Sequence, residues 1–162
     1  MRKILFLYTI ALFSLLSVQA QDAGSAYKRA NQQYVLFESE RDKGANANSM
    51  YTYLLEAYNN FIQVTKEQNN VSYINGTKNR LRSMYPYLLN AALYYYEQKE
   101  TFKALDFASA YIDIRYMPMF RSELLPKDDR YNSVVYFAAV SAFNILKSAT
   151  KLFSVLLASK RP

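Results

Sequence analysis

Residues 87–110 read YLLNAALYYYEQKETFKALDFASA. Large, small and ring side chains recur there at steps of three and four: Leu88, Ala91, Ala92 and Tyr95 before Lys99-Glu100, then Ala104, Leu105, Phe107 and Ala108 after it. Steps of that size put side chains on one face of an α-helix. Two helices are expected, folded back on each other over a short polar turn. Alanines fall where they approach closely, and rings fill the space beside them.

Working outward, the same period continues in both directions. Residues 25–41 carry Tyr27, Ala30, Tyr34 and Phe37 on one face and stop at Asp42-Lys43-Gly44, where glycine can close a helix in the left-handed conformation. Residues 48–68 present Tyr51, Leu54, Leu55, Tyr58, Phe61, Ile62 and Thr65, with Asn46 or Asn48 as the cap. Asn69-Asn70 and Asn75-Gly76-Thr77 are expected to be turns. Both Asn70-Val71-Ser72 and Asn75-Gly76-Thr77 match the glycosylation sequon and are read as turns all the same. A third helix is expected over 77–98, either kinked at Pro86 or restarted there, because proline lacks the amide proton and clashes one turn back. The fourth carries Phe102, Leu105, Ala108, Tyr111 and Ile112.

Residues 117–129, with Pro118 and Pro126, read as a connection folded onto the core by Phe120, Leu124 and Leu125. A fifth helix over 130–146 is apolar on two sides: Val134, Phe137, Ala138, Ser141 and Ile145 on one, Tyr136, Val140 and Phe143 on the other. Such a helix is expected to lie between neighbours. Residues 148–162 form an atypical tail, a weak partner for the fifth helix. Its Leu152–Leu157 run offers no wettable outer face of the kind that closes a repeat stack, as expected of a piece of a longer repeat protein or of an altered end.

At the other end, Arg2 and Lys3 precede an uncharged apolar stretch from Ile4 to Val18, and Ala20 supplies a small residue for cleavage. That is the pattern of a secretory signal peptide over 1–20, with the mature chain starting at Gln21. The chain is expected to be exported, to the periplasm or beyond. No second stretch reads as long enough to span a bilayer, so the mature chain is not expected to insert into one. The body, 21–147, is one all-α domain.

Zero cysteines and zero histidines bound the chemistry. They remove disulfides, thiolate and imidazole metal ligands, the cysteine nucleophile and the histidine base. Gly24, Gly44 and Gly76 are isolated, so no glycine-rich phosphate cradle exists. The acidic pairs Glu97 with Glu100 and Asp128 with Asp129 stand at helix ends and in a loop among Lys and Arg, where surface charge is the better reading. No catalytic residue, cofactor or metal is expected. Removing Arg2 and Lys3 with the signal takes the formal charge from +7 to +5, and the remaining cations are scattered among acids and rings, which argues against nucleic acid as a partner.

The helices recur as antiparallel pairs, 25–41 with 48–68, 77–98 with 102–115, and 130–146 with the tail. In this the chain resembles the tetratricopeptide-repeat family, whose first helix carries a large, a small and an aromatic residue and whose second carries Ala then an aromatic. Tyr136, Ala139 and Phe143 repeat the first-helix spacing, as do Tyr27, Ala30 and Tyr34, while Ala57 and Phe61 echo the second. Departures are Lys99 where the family favours Gly, Ala108 where it favours a ring, no proline after Ile114, and 48 residues from Leu88 to Tyr136 against roughly 34 in the family. The resemblance implies a short right-handed solenoid of stacked hairpins that binds a protein or peptide and performs no reaction. It places Leu89, Leu93 and Tyr96 of the third helix and Phe137, Ser141 and Asn144 of the fifth on the concave side. The alternative is a carbohydrate-binding or glycan-processing module whose tyrosines stack on sugar rings, to be distinguished by whether rings gather with carboxylates in a closed pocket or line an open trough.

Overall fold

The computed structural model describes residues 23–66, 71–123, 125 and 129–159, with side chains through Lys151 except that of Val71. The expected signal peptide, the cleavage point at Gln21 and the last three residues of the tail lie outside the described residues. Among the described residues every regular element is helical: α1 (Ala23–Asp42), α2 (Ala47–Lys66), α3 (Val71–Glu97), α4 (Thr101–Tyr116), a single 3-10 turn (Pro118–Phe120) and α5 (Tyr131–Ser159).

Two hairpins dominate, α1 with α2 and α3 with α4; α2 also packs on α3, α4 on α5, and alternate helices touch more lightly, α1 with α3 and α3 with α5. The turn chemistry follows the sequence. Gly44 adopts φ +64°, and the Ala45 N–H returns to the Glu40 carbonyl at 2.9 Å. The Asn46 Oδ1 then accepts the Asn48 N–H at 2.8 Å, so the cap is Asn46. In the second hairpin Lys99 holds the equivalent left-handed position, φ 61°, with the Glu100 N–H bonded to the Tyr95 carbonyl at 2.9 Å. A side chain with a Cβ pays a steric penalty there that glycine escapes. Lys99→Gly is expected to stabilise the fold by about 1 kcal/mol, read as a rise of roughly 3 °C in the thermal midpoint; a lower midpoint would contradict the turn geometry.

Ala91, Ala92, Ala104 and Ala108 are all fully buried, as are Ala57, Leu88 and Phe61. Their missing bulk lets helix axes approach, and rings occupy the remaining space. Tyr95 of α3 stacks on Phe107 of α4 at 5.5 Å and 13°, and Tyr51 of α2 meets Phe107 and Tyr95, each at 5.9 Å. Deeper along the stack Tyr85 lies on Tyr111 at 4.3 Å, and Tyr111 reaches Tyr131 of α5 at 5.9 Å. One ring cluster thus joins α2, α3 and α4, and a second joins α3, α4 and α5.

Five expectations are corrected. Asn75-Gly76-Thr77 is not a turn but part of α3, which begins at Val71 and runs through Pro86 without a restart. Gly76 is a packing glycine: a Cβ there would overlap the Tyr27 hydroxyl and stand 3.0 Å from its Cζ. On α4 the buried face is Ala104, Phe107, Ala108, Ala110, Tyr111 and Ile114, one position round from the expected stripe, and Phe102 is 69% exposed. Alanines and rings share that buried face, and Phe107 and Tyr111 stack on Tyr95 and Tyr85 of α3. The fifth helix does not end at 146 followed by a partner from 148; it is one helix to Ser159. Of its two apolar sides only the one with Val134, Phe137, Ala138 and Ser141 is covered, and Val135, Tyr136, Val140, Phe143 and Leu146 are exposed. Finally, Tyr131–Lys151 is long and apolar enough, by length and composition, to cross a membrane, since Lys147 and Lys151 are its only charges. The same helix already commits its other face to α4.

The 117–129 connection is pinned from below. Glu123 bridges Lys78, at 2.5 Å, and Arg82 of α3, and both cations lie over the ring of buried Phe120 at 5.8 and 5.9 Å. Hydrogen bonds from Lys78 and Arg82 hold the Glu123 carboxyl below the usual carboxylate range. Leu125 is buried and its carbonyl accepts from Arg115.

Candidate functional site

The groove is made by the last two turns of α3 and the first two of α5. Leu93 and Tyr96 form one wall; Asn132, Ser133, Tyr136 and Phe137 form the other, around a space of about 440 Å³. The spacing explains the set. Leu93 and Tyr96 are one turn apart on α3, and Asn132, Ser133, Tyr136 and Phe137 follow the same rhythm on α5. Tyr96 and Phe137 meet across the floor, ring centroids 4.9 Å apart. Tyr96 is 56% exposed and Tyr136 is 72% exposed, whereas Phe137 is buried, so the site is an apolar floor between two tyrosine lips.

Of the six residues expected on the concave side, Leu93, Tyr96 and Phe137 are brought together here. Leu89 lies one turn below, 2% exposed, in the core, and Ser141 is buried under α5. Asn144 belongs to a separate depression of about 460 Å³ with Thr101, Phe102, Ile145, Ser148 and Ala149. Sequence spacing missed Asn132, Ser133 and Tyr136. The detectable sign was that a helix apolar on two faces leaves one flank at the border between them, and Asn132, Ser133 and Tyr136 occupy that border.

The polar groups of the groove are neutral: two amide or hydroxyl side chains, Asn132 and Ser133, and the two phenols. No carboxylate is among its lining residues. Such a set can donate and accept hydrogen bonds to a backbone while the rings cover apolar side chains. Just below, the Tyr131 phenol shares a 3.0 Å hydrogen bond with Tyr116, and burial first, then that bond, pushes its pKa up to about 12. It stays a neutral donor or acceptor across the physiological range.

A further depression, of about 760 Å³, lies along Tyr27, Lys28, Asn31, Gln32, Val35 and Leu36. All six belong to α1, so this is the open flank of one helix rather than a cleft between two. Among the described residues no three His, Cys, Asp or Glu side chains gather as a metal site would require. Comparison with known protein families, with characterised proteins and with solved structures finds no match to this chain.

Proposed function

We propose that this chain is a non-catalytic, exported, tetratricopeptide-like scaffold that holds an extended polypeptide segment of a partner protein in the groove between α3 and α5. The observation that carries the reading is the groove's composition. Tyr96, Tyr136 and Phe137 form an open trough with Asn132 and Ser133 and without a carboxylate. A polypeptide offers what that surface takes: apolar side chains for the rings, and amides for the neutral hydrogen-bonding groups. The pairing of each helix with the next, and the lighter contact of α1 with α3 and α3 with α5, is consistent with a repeat stack of hairpins. The apolar stretch at Ile4 to Val18 supports export to the periplasm or cell envelope.

A displayed peptide library and a panel of soluble glycans, offered in parallel to the chain, test it. Peptides are expected to bind, and Leu93→Asp is expected to weaken them by at least tenfold, because the new carboxylate would be desolvated in the apolar wall. Binding of glycans with no peptide selected would favour sugar stacking on Tyr96 and Tyr136 and overturn the proposal.

A further inference from the structure

The outer face of α5 carries a heptad. Tyr136, Phe143 and Thr150 recur at seven, Ala139 and Leu146 recur at seven between them, and the two rows alternate at steps of three and four. This row points away from α4: Tyr136, Phe143 and Leu146 are 72%, 65% and 66% exposed, and Ala139 and Val140 are exposed beside them. No helix covers it among the described residues. Together these side chains leave on the order of 600 Å² of apolar area in water, at the top of what a monomer's largest patch presents. One side of a stable dimer buries about 800 Å², so the row plus its flanks is a half-interface in size.

We infer that this face binds the same face of a second copy of the chain, with the two α5 helices antiparallel about a twofold axis near Ser141. Size decides the register. In that arrangement Ala139 faces Phe143 of the second copy and Tyr136 faces its Leu146, so a small residue meets a ring in each central layer. A twofold interface must be self-complementary in this way, with residue i on j and j on i. Charge decides the direction. Lys147 and Lys151 are the only charged residues from Tyr131 to Ser159. Antiparallel helices separate the two Lys147 residues by about 18 Å along the axis at 1.5 Å per residue, whereas parallel helices would set them side by side. No carboxylate or cation is buried in the seam. The seam shares Tyr136 with the groove, but Ala139, Phe143 and Leu146 do not line the groove, so Phe143→Glu tests the seam without touching the groove lining.

Light scattering of the full chain over a micromolar concentration series tests it, with Phe143→Glu as the disrupting variant and far-UV circular dichroism as the control on folding. The expected result is a dimer whose self-association falls at least 100-fold in Phe143→Glu with helicity unchanged. Orientation is read with single cysteines, against no native cysteine background: Ala139→Cys is expected to cross-link through a short bis-maleimide, and Thr150→Cys, far from its counterpart, is not. A monomer throughout the series, including one that binds anionic phospholipid vesicles through this face instead, would overturn the inference. So would a dimer indifferent to Phe143→Glu, or equal cross-linking at both positions.

Discussion

Tyr95→Ala is expected to lower the unfolding free energy by about 3–5 kcal/mol, a large share of the roughly 5–15 kcal/mol that holds a domain together. The ring is 1% exposed and touches rings from three helices: Phe107 at 5.5 Å, Tyr51 at 5.9 Å and its own neighbour Tyr94 at 5.1 Å. Removing it opens a cavity at the junction of α2, α3 and α4, between two alanine-lined contacts that cannot expand to refill it. Urea denaturation monitored by circular dichroism measures the loss. A change below about 1 kcal/mol would be an ordinary surface effect and would mean that the ring junction does not bind the two hairpins together. Tyr95→Phe keeps the packing and serves as the control.

The second large effect is alkaline unfolding. Burial is the first cause that raises the phenol pKa of Tyr34, Tyr51, Tyr58, Tyr85, Tyr95 and Tyr131, with the last reaching about 12. The folded state therefore holds these protons more tightly than the unfolded chain, whose phenols titrate near pH 10. Their contribution is complete below about pH 10 and is lost as pH rises through the folded values, at up to about 1.4 kcal/mol per pH unit for each phenol. Six such groups make the loss steep. The tyrosinate absorbance of the buried rings and the helical circular dichroism are expected to change together in one cooperative step above about pH 10. Titration of all the phenols near pH 10 with helicity intact would show that the rings are not buried.

The fold was legible where spacing alone decides. The stripe of Tyr27, Ala30, Tyr34 and Phe37 and the run Leu88, Ala91, Ala92, Tyr95 were read from steps of three and four, and all but the partly covered Tyr27 are buried. Errors arose where a residue's local preference was outweighed by a distant partner. Gly76 looks like a turn residue until the Tyr27 hydroxyl is seen against it. Phe102 looks like core until Phe107 and Tyr111 are seen stacked on Tyr95 and Tyr85 of α3, with Phe102 left off the buried face. For the groove, periodicity names a face but not its depth, which is why Leu93, Tyr96 and Phe137 meet while Leu89 and Ser141 sink beneath them. Depth depends on where α5 begins. Upstream of it, Glu123 bridges to Lys78 and Arg82, a contact spanning more than forty residues that no local pattern contains.

The most direct measurement of the functional account is site-specific photo-cross-linking in the producing cell, with the probe at Ser133 in the groove and, as the control, at the exposed Glu56 of α2. A discrete, protease-sensitive polypeptide adduct is expected at Ser133, absent at Glu56 and abolished by Leu93→Asp in a chain that still folds. Adducts of equal yield at both positions, or none at Ser133, would contradict it.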